Sequence, residues 1–300
     1  MRVDPNFVSG LVTSLDSVSS RQQSLSSQLS SGMRLNSLSD DPVAAGENVR
    51  MLNQLQQDDS FTETSNLATG QLQVSDSMLG QVVTQLTSAI SLATSANNGT
   101  MNSSNVQSIA SQLSGILNEV VTLANTNYQG QYVFGGGSTT TPFSSASNSV
   151  TYTGGTDINY LQTPNGQQIQ LNVSGDQIFQ GGGDSSKSVF GALTSLINDY
   201  SSGTVDTVAA VADTASLSAS LNYVSQQRVT IDNSITQLTA AGDAITATSA
   251  QISSAQSDLV QADVATVATQ LSLAESQQTA LESVISQLNS TSNSLFSKLS

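Results

Sequence analysis

The sequence predicts a mainly α fold with a small inserted β domain (α+β), in which the N- and C-terminal segments form a long antiparallel helical bundle or coiled coil. Three observations carry this expectation: apolar residues recur in heptad seams near both ends, a Gly-rich stretch interrupts the middle, and aromatic residues make up only 4% of the chain. A chain so poor in rings and rich in Ser, Thr, Gln and Ala suits long helices packed in thin layers.

The first seam runs through Val8, Leu11, Leu15, Val18, Gln22, Leu25, Leu29 and Gly32 at alternating steps of three and four. This is the pattern of a helix with a narrow apolar stripe. A matching seam follows Val267, Leu271, Ala274, Gln278, Leu281, Ile285, Leu288, Ser292, Leu295 and Leu299. The two stripes can cover each other within one chain. Neither is flanked by the charges that normally fix register, so a helix pair of this kind also gains from neighbouring copies or relatives.

Between the first helix and the next lies Ser39-Asp40-Asp41-Pro42. Asp41 suits an N-cap and Pro42 the first helical position, where a missing N–H costs nothing. That capping role is preferred over a metal or acid–base pair built from the adjacent carboxylates. A long helix is then expected from about Pro42 to Ala96, ended by Asn97-Asn98-Gly99. Ser104 with Gln107 reads as a capping box opening a helix to about Asn127 that packs antiparallel to its predecessor.

After Tyr128 the texture becomes Gly-rich, β-branched and aromatic, with alternation at Ile158 and Tyr160, a turn at Pro164-Asn165-Gly166, and alternation again at Ile169, Leu171 and Val173. Alternation on both sides of a turn is a hairpin signal. Asp184-Ser185-Ser186-Lys187-Ser188 superficially resembles a phosphate loop, but Ser186 stands where glycine is needed and the βαβ context is missing, so a linker and helix start are expected. Helices should follow over about Ser188–Tyr200, Val205–Ala241 and Ile245 to the end. The expected division is 1–41 with 255–300 as a terminal-helix assembly domain, 42–129 with 186–254 as a helical bundle, and 130–185 as an outer β domain.

Charge narrows the function classes. Net charge is -15, only 10% of residues are charged, and the seven basic residues are scattered, so a nucleic-acid reader is excluded for want of a basic footprint. The same repulsion argues against anionic membrane surfaces, and no apolar run approaches a membrane span. Cysteine and histidine are absent, which removes disulfides, thiolate nucleophiles, Cys/His metal sites and the commonest general base. No cofactor, metal or catalytic residue is expected. Asp4 and Asn6 interrupt the apolar stretch that a cleavable Sec-type signal would need, so any exit from the cell is expected by another route.

The block Leu29-Ser30-Ser31-Gly32-Met33-Arg34-Leu35-Asn36, followed by Ser39-Asp40-Asp41-Pro42, resembles the N-terminal block of the flagellin superfamily. Its motif positions are Gly32, Arg34, Asn36, Asp40, Asp41 and Pro42. Pro42 directly after the two acids is more like the hook-filament junction family than like filament flagellin. Gly130-Gln131-Tyr132-Val133-Phe134-Gly135-Gly136, Thr141-Pro142-Phe143 and the C-terminal stretch from Asp263-Val264-Ala265 through Gln277-Gln278-Thr279-Ala280-Leu281 to Ser294-Leu295-Phe296 are similar to the same family.

The resemblance implies a secreted structural subunit, exported by the flagellar type III apparatus and placed at the hook-filament junction. It implies as partners the first hook-associated protein and flagellin, self-association in a ring, and an export chaperone at the C-terminal region. The assembly interface is expected at Val8, Leu11, Leu15, Val18, Leu25, Leu29, Val267, Leu271, Leu281, Ile285, Leu288, Leu295, Phe296 and Leu299. Three rivals remain at this point: filament flagellin itself, a cytosolic coiled-coil scaffold, and a secreted enzyme using Asp157, Asp176 and Asp184 in carboxylate chemistry.

Overall fold

The computed structural model describes residues 5–98, 101–146 and 149–296, with side chains described over 9–98, 101–146 and 149–290. The chain forms two compact units, one from residues 1–57 with 247–300 and the other from 58–246. The sequence leads one to expect the corresponding terminal boundaries at 41/42 and 254/255. Seven helices are described: α1 (Pro5–Ser31), α2 (Pro42–Asn97), α3 (Ser103–Ala124), α4 (Gly175–Phe179), α5 (Val189–Ser201), α6 (Thr207–Val260) and α7 (Val264–Phe296). None of the described helices is long and apolar enough to cross a membrane.

In the unit 58–246, α2 buries Phe61, Ser65, Ala68, Leu72, Ser75, Leu79, Val82, Leu86, Ala89, Ala93 and Ala96, again at alternating steps of three and four. On α6, Ala210, Leu217, Val224, Ile231, Leu238 and Ile245 are buried at steps of seven. This is coiled-coil periodicity, and small residues at several seam positions leave room for close approach. Leu113, Leu117 and Val120 of α3 and Leu193, Leu196 and Tyr200 of α5 complete the same core. Arg228 of α6 grips Asp76 of α2 through two hydrogen bonds of 2.7 and 3.0 Å. Near the end of α2, the Tyr200 hydroxyl donates to Asn97 Oδ1 at 2.8 Å, and Asn97 Nδ2 donates to Thr214 Oγ1 at 3.1 Å.

The Gly-rich middle forms three separate antiparallel ribbons: β1 (Asn127–Tyr128) with β2 (Gln131–Tyr132), β3 (Phe143–Ala146) with β4 (Ser149–Tyr152), and β5 (Tyr160–Gln162) with β6 (Gln168–Gln170). Pro164-Asn165-Gly166 lies in the turn between β5 and β6, as its composition predicts. The Asn125 side chain extends the pairing by accepting from Phe143 N at 2.9 Å and donating to Phe143 O at 2.8 Å. The ribbons share the core of the helices through Phe134, Phe143, Ile169 and Val173.

Low aromatic content conceals a local concentration of rings. Phe134, Phe143, Phe179 and Phe190 are almost fully buried, and Phe143 lies 5.3 Å from Phe179 and 5.2 Å from Phe190 between ring centroids. Gly175 is fitted to this cluster, since a Cβ there would stand 2.6 Å from the Phe143 ring and 2.8 Å from the Phe134 carbonyl.

Three local expectations need correction. The N-cap of α3 is Asn102, which accepts from Asn105 N at 2.8 Å, rather than Ser104; asparagine caps as well as serine and stands directly before the first helical residue. That helix ends at Ala124 instead of Asn127, because Asn127 and Tyr128 are taken into β1. The break expected near Ala241–Ile245 is absent, and α6 runs through Gly242. One helical glycine costs only about 1 kcal/mol, and burial of Ile245 keeps the heptad in register across it. The break comes instead at Gln261–Asp263, where Asp263 caps α7 by accepting from Ala265 N at 3.0 Å and Thr266 N at 3.2 Å.

Asp184 to Ser188 is a linker, as expected. Asp184 accepts from Ser186 N and pairs with Lys187 at 3.0 Å, while the Ser188 side chain accepts from Gly191 N and caps α5. The Ser186 and Lys187 hydrogen bonds hold the Asp184 carboxyl down to about 2.

Candidate assembly interface

In the unit formed by 1–57 and 247–300, α1 packs along α7. The segment after α1 forms an antiparallel bridge with the segment before α7, Met33 opposite Gln261, so the two helices leave a common point and run antiparallel. Leu25, Val267 and Ala274 are buried against one another, with Val18, Leu271 and Ala262 packed alongside. Leu11, Leu15, Leu281, Ile285 and Leu288 are half-buried, and Leu29 is the exposed member of the seam at 37%. Val8, Leu295 and Phe296 lie on the helices but their side chains fall outside those described, and Leu299 lies outside the described residues altogether.

The motif residues come together at the bridge. Gly32 ends α1 with a φ of 70°, a left-handed cap conformation that glycine adopts without strain. Two backbone hydrogen bonds close the bridge: Arg34 N donates to Val260 O at 2.7 Å, and Ala262 N to Gly32 O at 3.0 Å. The Arg34 guanidinium locks it, with Nε and Nη2 donating to the Leu259 carbonyl at 3.3 and 3.0 Å and Nη1 to Asp41 Oδ2 at 3.2 Å.

The two adjacent acids divide the local work. Asp41 Oδ1 accepts from Ala44 N at 3.1 Å and caps α2, which starts at Pro42. Asp40 Oδ2 accepts from Ser37 N at 2.8 Å and Asn36 N at 3.0 Å, while Asn36 Nδ2 donates to Met33 O at 3.2 Å. These backbone bonds hold the Asp40 carboxyl below its ordinary range. The Ala44 amide first, then Arg34, do the same for Asp41. Both acids therefore act as structural acceptors, and no group of three or more metal-capable side chains occurs among the described residues.

Apart from Leu29, what α1 and α7 leave uncovered falls outside the interface expected from the sequence. Ten of the sixteen exposed large apolar side chains among the described residues belong to this unit, including Leu38 at 74% and Val43 at 79%. Leu273 and Val284 are also exposed, on the part of α7 away from the seam. The available signal was the placing of Leu38 in a Ser/Asp-rich loop and of Val43 in the first turn of α2, out of phase with any seam. Leu259 and Val260 were missed as bridge residues because their roles arise from pairing with Arg34 across more than two hundred positions of sequence.

Residues 9–139 match the family described as the bacterial flagellin N-terminal helical region. The chain is 32% identical over 154 residues to the flagellar hook-associated protein 3 of Escherichia coli K12, covering 51% of this chain and 48% of that protein. It is 31% identical over 185 residues to the protein of the same name from Salmonella typhimurium LT2, covering 58% of each. The aligned chain thus spans only about half the length of these curated relatives. The crystal structure of flagellar hook-associated protein 3 from Legionella pneumophila shares the fold with a TM-score of 0.61, at 13% identity, over 70% of this chain and 98% of that one. With its paired terminal helices, its N-terminal match and these relatives, the chain is similar, over about half its length, to the bacterial flagellin N-terminal helical region and to flagellar hook-associated protein 3.

Proposed function

We propose that this chain is the structural subunit of the hook-filament junction of the bacterial flagellum, exported to the cell exterior, and that it has no catalytic role. One observation carries the reading beyond the names of its relatives: a unit held by a narrow α1–α7 seam bears ten of the sixteen exposed large apolar side chains among the described residues. Apolar surface in such a concentration favours burial against other protein, at roughly 1.5 to 3 kcal/mol per large aliphatic side chain before ordering entropy is subtracted. The neighbours in this reading are further copies in a ring, the first hook-associated protein on one side and flagellin on the other. An export chaperone holds the C-terminal region beforehand.

The three-part division of the chain has a matching assignment in this proposal. The terminal helices of 1–41 and 255–300 serve assembly, 42–129 with 186–254 form a helical bundle, and 130–185 form the β segment inserted in it. Deleting residues 255–300 should abolish incorporation into the appendage while leaving the unit 58–246 helical by circular dichroism. Normal filament attachment by that truncation refutes the proposal. Cells lacking the chain should carry hooks without filaments and shed flagellin into the medium.

A further inference from the structure

A cleft of about 310 Å3 lies between α2 and the β1–β2 and β5–β6 ribbons. It is far from the terminal helices in sequence, and the assembly proposal makes no use of it. None of the described residues lining it is charged. Tyr128 and Tyr132 contribute rings, and Gln71, Gln129, Gln131 and Asn159 contribute amides. Those four amide side chains make no hydrogen bond to the protein among the described residues.

The rings are held in place. The Tyr132 hydroxyl is 3.2 Å from Thr141 Oγ1, and Tyr128 tucks its hydroxyl against Gly70 of α2, where a Cβ would stand 2.8 Å away. Both tyrosines are half-buried. Rigid amphipathic rings offer contact area with little loss of side-chain freedom on binding.

Ligand classes can be eliminated by chemistry. A cation would find no carboxylate in the cleft, and an anion would meet no basic group while facing a chain of net charge -15. A purely apolar ligand would strip water from the open amides without replacing their hydrogen bonds. A neutral sugar meets both demands, since its C–H face can lie on a tyrosine ring while its hydroxyls donate to and accept from carboxamides. The volume falls at the small end of the range for ligand clefts, suited to the end of a short glycan. We propose that this cleft binds a neutral oligosaccharide, with Tyr132 and Tyr128 as stacking surfaces and Gln71, Gln131 and Asn159 as hydroxyl partners.

The test is saturation-transfer NMR on the full chain with maltotriose, cellotriose and triacetylchitotriose at millimolar concentration. Transfer to the ring C–H protons of at least one of these is expected. Y132A should abolish it, and Q71A should weaken it about fivefold, the loss of one hydrogen bond. Q71A sits on α2 outside the ribbons, so it decides the matter if Y132A disturbs β2. Absence of transfer to all three sugars overturns the proposal, as does transfer that is equal in the parent chain and Q71A.

Discussion

Arg228 and Asp76 face each other from α6 and α2, and both guanidinium contacts, at 2.7 and 3.0 Å, fall on the two oxygens of one carboxylate. Their side chains are about one-third and one-quarter exposed, so the pair is screened but not fully solvated. A double-mutant cycle with D76A and R228A should give a coupling of about 1 kcal/mol in urea unfolding of the unit 58–246. R228K should recover only part of it, because an ammonium cannot make the parallel fork.

L25A should destabilise the unit formed by α1 and α7 by about 2 to 5 kcal/mol, the usual range for truncating a buried leucine. L281A should cost less, since Leu281 is only half-buried. Hydrogen exchange of α1 and α7 amides reads both effects, and amides of α3 and α5 should keep their protection.

R34A removes the hydrogen bonds to the Leu259 carbonyl and the ion pair to Asp41 together. Faster exchange is expected at Arg34 and Ala262, whose amides close the bridge. R34K should not rescue it, because a single ammonium cannot span both acceptors as the fork does.

Gly175 has no room for a side chain beside Phe143 and Phe134. G175A should cost about 1 to 3 kcal/mol by overpacking, measured as a lowered Tm of the unit 58–246. A Phe143→Leu change in the same background should relieve part of the loss.

Acid should act in opposite directions on two parts of the chain. Asp40 and Asp41 have depressed carboxyls, so their contribution is present above the ordinary carboxylate pKa and is lost as pH falls through their lowered values. Asp199 is raised, first by burial and then by Asp213 and Asp206, and its Oδ2 is buried without a hydrogen-bond partner. Its contribution is present below the ordinary carboxylate pKa and is lost as pH rises through the raised value. D199N should therefore raise the Tm at pH 7, and the gain should shrink as pH falls toward the ordinary carboxylate range.

The seams were legible because heptad periodicity is a local property, and the structure keeps α1, α2, α6 and α7 as long helices. The cap at Asp41-Pro42 was legible for the same reason, since acceptor and fixed φ stand side by side in sequence. Tertiary context decided what was misread. Gly242 resembled a break until burial of Ile245 held the helix together, and the scarcity of aromatics concealed the clustering of four phenylalanines. The bridge from Met33 to Gln261 was invisible because no local pattern marks two strands of one pair each, and Leu38 and Val43 gave no periodic signal.

The Met33–Gln261 bridge also carries a message about timing. Its halves are made at widely separated moments on the ribosome, so this unit must wait until α7 has been made, whereas residues 58–246 hold every buried residue of their own core. Synthesis therefore presents a cell with an early-folding unit and a late-closing helix pair, an interval in which a holding factor would have its opportunity.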